Sequence, residues 1–155
     1  MSVDVSTQIE MRVPRERVAA YAIDPDNATS WYENIKSVKW QTSKPQTVGS
    51  RFEFVAQFLG RRLAYTYEVT ELVPGTRYVM ATAQGPFPME TSYEWEDTPA
   101  GGTLMTLRNR GDPSGFVRAA SPMMARAMRR ANINDLARLK ATLEQVDRQS
   151  ATSAS

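Results

Sequence analysis

The 155-residue chain contains no cysteine and no histidine. Without cysteine there is no disulfide framework, no thiolate nucleophile and no cysteine-ligated metal. Without histidine the commonest general acid–base and the commonest transition-metal ligand are both missing, and Ser-His and Cys-His triads are excluded. Any proton chemistry falls to Tyr, Asp, Glu, Lys or water, and neither a metal nor a cofactor is expected. No apolar stretch approaches the ~18 residues of a membrane span. The opening "MSVDVSTQIE" lacks the basic-then-apolar order of a signal peptide, so the expectation is a cytoplasmic protein with no membrane span. Charge of one sign is also scarce. The net charge of +2 is too small to point to nucleic acid, and "RNR" at 108–110 and the arginines at 126, 129 and 130 read as solvated faces.

What is present is a clear alternation. Val3, Val5, Thr7, Ile9, Met11 and Val13 share one parity, with Asp4, Ser6, Gln8, Glu10 and Arg12 on the other, which is a half-buried strand. Pro14 then suits a first helical residue, and "PRERVAAYAI" continues as a short helix with Val18, Tyr21 and Ala22 along one side. "DPDN" stops it, and Asp26 or Asn27 can cap a second short helix through "ATSWYENI".

Residues 36–110 read as about six strands broken at "SKPQTVG", "LGRR", "VPGTR", "QGPFP" and "DTPAGG". Connections this short join antiparallel neighbours. Phe52, Phe54, Ala56 and Phe58 share a side. So do Leu63, Tyr65, Tyr67 and Val69, opposite Thr66, Glu68 and Thr70, and so do Met89, Thr91, Tyr93 and Trp95, opposite Glu90, Ser92, Glu94 and Glu96. One face is wet and the other covered. The cover is the last helix, N-capped at Ser121-Pro122 and unbroken to about Asp147. Its apolar face carries Met124, Met128, Ala131/Asn132, Leu136, Leu139, Leu143 and Val146. Residues 1–148 are expected to form one domain and 149–155 a disordered tail. The fold class is α+β: a seven-stranded curved antiparallel sheet wrapped around a long C-terminal helix, with two short helices after strand 1. Such a wrap can leave a cavity between sheet and helix.

With that order, "VPRERVAAYAIDPDNATSWYENI", "YTYEVTELVPGTRYV", "GGTLMTLRNRG" and "NINDLARLKATLE" make the chain resemble the START-like, or birch-pollen-allergen-like, helix-grip superfamily. The nearest likeness is to its bacterial polyketide cyclase/dehydrase branch, over residues 3–146. The resemblance implies a helix-grip fold, and it spans lipid and hormone carriers, aromatase/cyclases and quinone-binding proteins, so it does not by itself fix a site.

Parity places Tyr65, Tyr67, Thr91, Tyr93 and Asn109 toward the cavity, with Asn132 on the helix. Trp40, Phe54, Met89, Trp95, Met105, Met124 and Met128 supply apolar walls. In the fold that the resemblance implies, Trp31 and Tyr32 sit near the cavity mouth. Each has a plainer reading: the tyrosines as core rings with one bonded end, Trp31 as an anchor for the short helices, the methionines as packing. Arg108 and Arg110 fall on the outer parity, and a one-residue bulge would exchange Arg108 for Asn109 in the cavity. No Arg, Lys or carboxylate of the sheet has cavity parity, and Asp135 lies at the margin of the helix face. The first reading is therefore binding of a small hydrophobic ligand such as a lipid, quinone, steroid or aromatic polyketide. The alternative is a cofactor-free cyclase or aromatase, which needs a charged side chain inside with a perturbed pKa. A third class, a protein-partner module with a filled pocket, needs an exposed apolar patch. Catalytic residues are unassigned, and the oligomeric state stays open, a homodimer included.

Overall fold

A computed structural model describes residues 3–58, 60–112 and 121–153. Strand β1 (Val3–Met11) leads into helix α1 (Arg15–Ile23), a 3-10 turn (Pro25–Asn27) and the one-turn helix α2 (Ala28–Trp31). Six strands follow: β2 (Ile35–Trp40), β3 (Arg51–Phe58), β4 (Arg61–Val73), β5 (Arg77–Gln84), β6 (Met89–Asp97) and β7 (Thr103–Gly111). Helix α3 (Ser121–Ser153) closes the chain. The seven strands form one antiparallel sheet in the order β1-β7-β6-β5-β4-β3-β2. This is the helix-grip arrangement.

The alternation in β1 becomes burial directly: Val3, Val5, Thr7 and Met11 are buried between exposed Asp4, Ser6, Gln8 and Glu10. β7 pairs with β1 and β6 in unbroken register, so Asn109 faces inward and Arg108 outward, where it is ion-paired with Asp4. β4 departs from simple parity. Its pairing with β5 shifts between Thr66 and Tyr67 and again between Val69 and Glu71. Bulges of this kind increase twist and bend the sheet, and Tyr65, Thr66 and Tyr67 are consecutively buried. Thr66 is thus not the outward residue its parity predicts.

The two short helices also differ in detail. Pro14 is the N-cap of α1 rather than its first residue. Asp24 caps the 3-10 turn, accepting from the Asp26 N–H at 3.0 Å, and Asn27 is the N-cap of α2 but makes no side-chain capping bond. Asp26 instead accepts from Trp40 Nε1 at 2.8 Å and pairs with Lys44. α3 packs along β1, where Arg129 donates to the Ser6 carbonyl and Glu144 accepts from the Arg12 N–H. It runs to Ser153, past the end expected near Asp147, so residues 149–153 of the expected tail are helical, and Val146 is exposed. The cap expected of the Ser121 side chain, the side chain of Phe58 and residues 154–155 lie outside the described residues. Among the described residues no helix is long and apolar enough to cross a membrane.

The β6–β7 turn closes tightly against β1. A Cβ on Gly102 would lie 2.2 Å from the Met11 carbonyl oxygen, a backbone atom held in the β1–β7 ladder. Gly102→Ala is expected to cost about 1–3 kcal/mol of stability, the range of an overpacked core, read as a lowered denaturation midpoint.

Candidate functional site

The inner face of the sheet and α3 do not meet evenly. At one end, Phe52, Val69, Tyr78, Tyr93, Trp95, Met105 and Leu107 pack with Leu136, Leu139 and Leu143 as a solid core. At the other end lies a cavity of about 130 Å³. Its floor is Phe54 and Ala56 of β3, Leu63, Tyr65 and Tyr67 of β4, Met80 of β5, Met89 and Thr91 of β6 and Asn109 of β7. Its roof is Met128, Ala131, Asn132 and Asp135 of α3, and Tyr32, Asn34, Ile35 and Phe87 complete the wall.

Of the residues parity nominates, Tyr65, Tyr67, Thr91, Asn109, Phe54, Met89, Met128 and Asn132 line this cavity. The others do not. Met105 and Met124 are fully buried in solid core. Tyr93 stands one layer behind the cavity, stacked on Tyr78 with centroids 5.5 Å apart, and its hydroxyl shares a hydrogen bond of 2.5 Å with that of Tyr32. Trp31 is fully buried against Tyr32, ring centroids 4.0 Å apart, and anchors α2. Trp40 is half-buried, edge-on to Phe52 at 4.7 Å and tied to Asp26. Met123 is exposed. The three methionines of "SPMM" and its following turn therefore have three different surroundings, and only Met128 meets the cavity.

The apolar lining carries two polar groupings. On the floor Thr91 Oγ1 donates to Asn109 Oδ1 at 2.7 Å, and the Tyr67 hydroxyl is hydrogen-bonded to Thr91. On the roof Asn132 and Asp135 project from one side of α3, as residues three apart on a helix do. Asn132 is buried and its Nδ2 has no hydrogen-bond partner. Asp135 is 2% exposed, and its Oδ1 accepts from the Glu33 N–H at 3.0 Å. That contact corrects the placement of Asp135 at the margin of the helix face: the segment leaving α2 crosses over it and closes it in. Periodicity along α3 carries no trace of this segment.

Burial governs the titration of the site. It pushes the Asp135 carboxyl up to about 6, with the Glu33 N–H bond and Arg138 pulling the other way. It pushes the Tyr67 phenol up to about 12 against the Thr91 hydrogen bond, and it raises Tyr65, Tyr32 and Tyr93 as well. The tyrosines are neutral donors near neutral pH, and Asp135 is the lining group that changes charge there. No Lys or Arg is among the lining residues. Among the described residues no three His, Cys, Asp or Glu side chains gather as a metal site.

A family model described as polyketide cyclase / dehydrase and lipid transport matches residues 2–144. No curated protein matches the sequence. Among solved structures the chain is similar to a START superfamily protein from Mycobacterium smegmatis (15% identity, 92% of this chain and 98% of that one, TM-score 0.80). It is also similar to the Zhui aromatase/cyclase from Streptomyces sp. R1128 (14% identity, 94% and 95%, TM-score 0.78) and to ginseng major latex-like protein 151 from Panax ginseng (11% identity, 92% and 97%, TM-score 0.69). At these identities the likeness is one of fold.

Proposed function

This chain belongs to the polyketide cyclase / dehydrase and lipid transport family, and from that premise we propose that it binds a small, largely hydrophobic molecule bearing oxygen in the cavity between the sheet and α3. The observation that carries this is the make-up of the cavity: apolar and aromatic walls with a few polar residues, Tyr67, Thr91, Asn109 and Asp135 among them. That is the composition of a ligand pocket. Small-molecule mass spectrometry of the protein purified gently from its native host tests it. A stoichiometric hydrophobic compound is expected, and protein that is empty in repeated preparations would oppose the reading.

Asp135 favours a second reading, a cofactor-free cyclase or aromatase. A carboxyl raised to about 6 in a cavity is suited to taking a proton from a carbon beside a ketone. The C–H electron pair would move onto the ketone oxygen as an enolate, and a tyrosine hydroxyl of the wall would stabilise that charge. With no lining cation to assist, binding remains the first reading. Turnover of a β-ketone substrate that is lost in Asp135→Asn, with binding retained, would establish the second.

A further inference from the structure

The wall of the cavity carries charge of one sign. Asp135 is the acid among its lining residues, and neither a lysine nor an arginine stands with it. The carboxyl is buried under the segment leaving α2, with Oδ1 held by the Glu33 N–H at 3.0 Å. Oδ2 receives no hydrogen bond from the described residues, and it is not among the polar atoms sealed off without a partner, as Asn132 Nδ2 is. Asp135 lines the cavity, so this second oxygen opens onto it. Two charges act on the carboxyl from outside: Glu33, which opposes its ionisation, and Arg138, an exposed side chain that forms no ion pair with it among the described residues. The neighbouring hydroxyls of Tyr32 and Tyr93 are uncharged.

A carboxylate taken out of water without a counter-charge is costly, and a cation placed against it recovers that cost. The lining residues supply none, so the cavity favours a ligand that brings its own. An ammonium donating to Oδ2 makes a charge-assisted hydrogen bond, and burial strengthens it relative to the same pair in water. A ligand carboxylate would instead set like charges together. Tyr65 offers a second contact. Its hydroxyl has no hydrogen bond among the described residues and is not sealed off, so it can donate to an oxygen on the ligand.

Resting on the binding reading above, we infer that the ligand is a hydrophobic amine, bound as its ammonium with an N–H donated to Asp135 Oδ2 and its apolar body against Phe54, Leu63, Phe87 and Met128. The oxygen of that reading falls to the Tyr65 hydroxyl. The inference thus selects, among the hydrophobic ligands open to the fold, a basic compound over a neutral one and a neutral one over an acid.

Calorimetric titration of the full chain with three probes of one skeleton tests it: para-methoxyphenethylamine, the corresponding alcohol and para-methoxyphenylacetate. At pH 7 the amine is expected to bind at least about tenfold more tightly than the alcohol, the worth of one charge-assisted hydrogen bond, and the acid more weakly than the alcohol. With Asp135 titrating at about 6, lowering the pH from 7 to 5 is expected to weaken the amine about tenfold while the amine itself stays protonated, and to change the alcohol much less. Asp135→Asn keeps an acceptor for the Glu33 N–H; it is expected to retain the alcohol, abolish the preference for the amine and flatten its pH dependence. Should that variant not fold, the pH series on the unmodified protein decides. Equal binding of amine and alcohol at pH 7, tighter binding of the acid, or a preference for the amine that survives in Asp135→Asn would each overturn the inference. So would binding of none of the three by folded protein. A stoichiometric compound without a basic nitrogen in the mass-spectrometric test would overturn it and leave the binding reading standing, whereas repeatedly empty protein would remove both.

Discussion

Asp135→Asn is expected to raise the melting temperature at pH 8 by about 4–8 °C and to leave it nearly unchanged at pH 4. In the unfolded chain an Asp carboxyl titrates near ~3.9; in the fold Asp135 is raised to about 6 by burial. Below pH 4 the carboxyl is protonated in both states and contributes no difference. Between about 4 and 6 the unfolded chain binds fewer protons than the native one, so stability falls as pH rises, and the full cost is present above 6. Two pKa units correspond to ~3 kcal/mol at ~1.36 kcal/mol each. Solvent screening reduces this to about 2 kcal/mol, and a domain of this size converts each kcal/mol into about 2–4 °C. Asparagine keeps the oxygen that accepts from the Glu33 N–H and removes the charge. The charges of Arg138 and Glu33 also act on the carboxyl, and the hydroxyls of Tyr32 and Tyr93 stay neutral over this range. Thermal melts of both proteins from pH 4 to pH 8 check the prediction. A lower melting temperature for the variant at pH 8 would show that the native site stabilises the carboxylate. A group that costs stability at neutral pH belongs where function requires it.

Met128→Trp is expected to weaken ligand binding by at least ~100-fold while changing stability by less than ~1 kcal/mol, because the indole enters space that is empty. Met124→Trp offers the contrast. Met124 is 1% exposed and does not line this cavity, so the same substitution four residues earlier is expected to cost about 1–3 kcal/mol through overpacking. Titration with any ligand the protein carries, alongside chemical denaturation of the two variants, separates them. Equal destabilisation would mean that the space beside Met128 is not available to a side chain.

The contrast between these two methionines marks how far the sequence could be read. Alternation in β1, β6 and β7, short turns and one long amphipathic stretch are local signals, and they define the sheet, its inward face and its cover. Parity identifies a face; it does not say how far along the strand the packing is solid. Thr91 and Asn109 line the cavity, whereas Trp95 and Met105, on the same faces of the same two strands, are core. Which end is hollow depends on the size of the side chains brought opposite by α3: leucines at 136, 139 and 143 fill one end, Ala131 and Asn132 leave room at the other. Asp135 was less legible still. Its burial comes from the backbone of Glu33, 102 residues away in sequence, and no helical period encodes that. The bulge at Thr66 likewise depends on pairing with β5.

The central claim is that the space between the sheet and the Asn132–Asp135 face of α3 receives a ligand. A crystal structure of the protein with the compound recovered from gentle purification tests it most directly. The compound is expected beneath Met128, against Tyr65 and Phe87. A cavity closed by Met128 and Phe87, with the compound bound elsewhere on the protein, would contradict it.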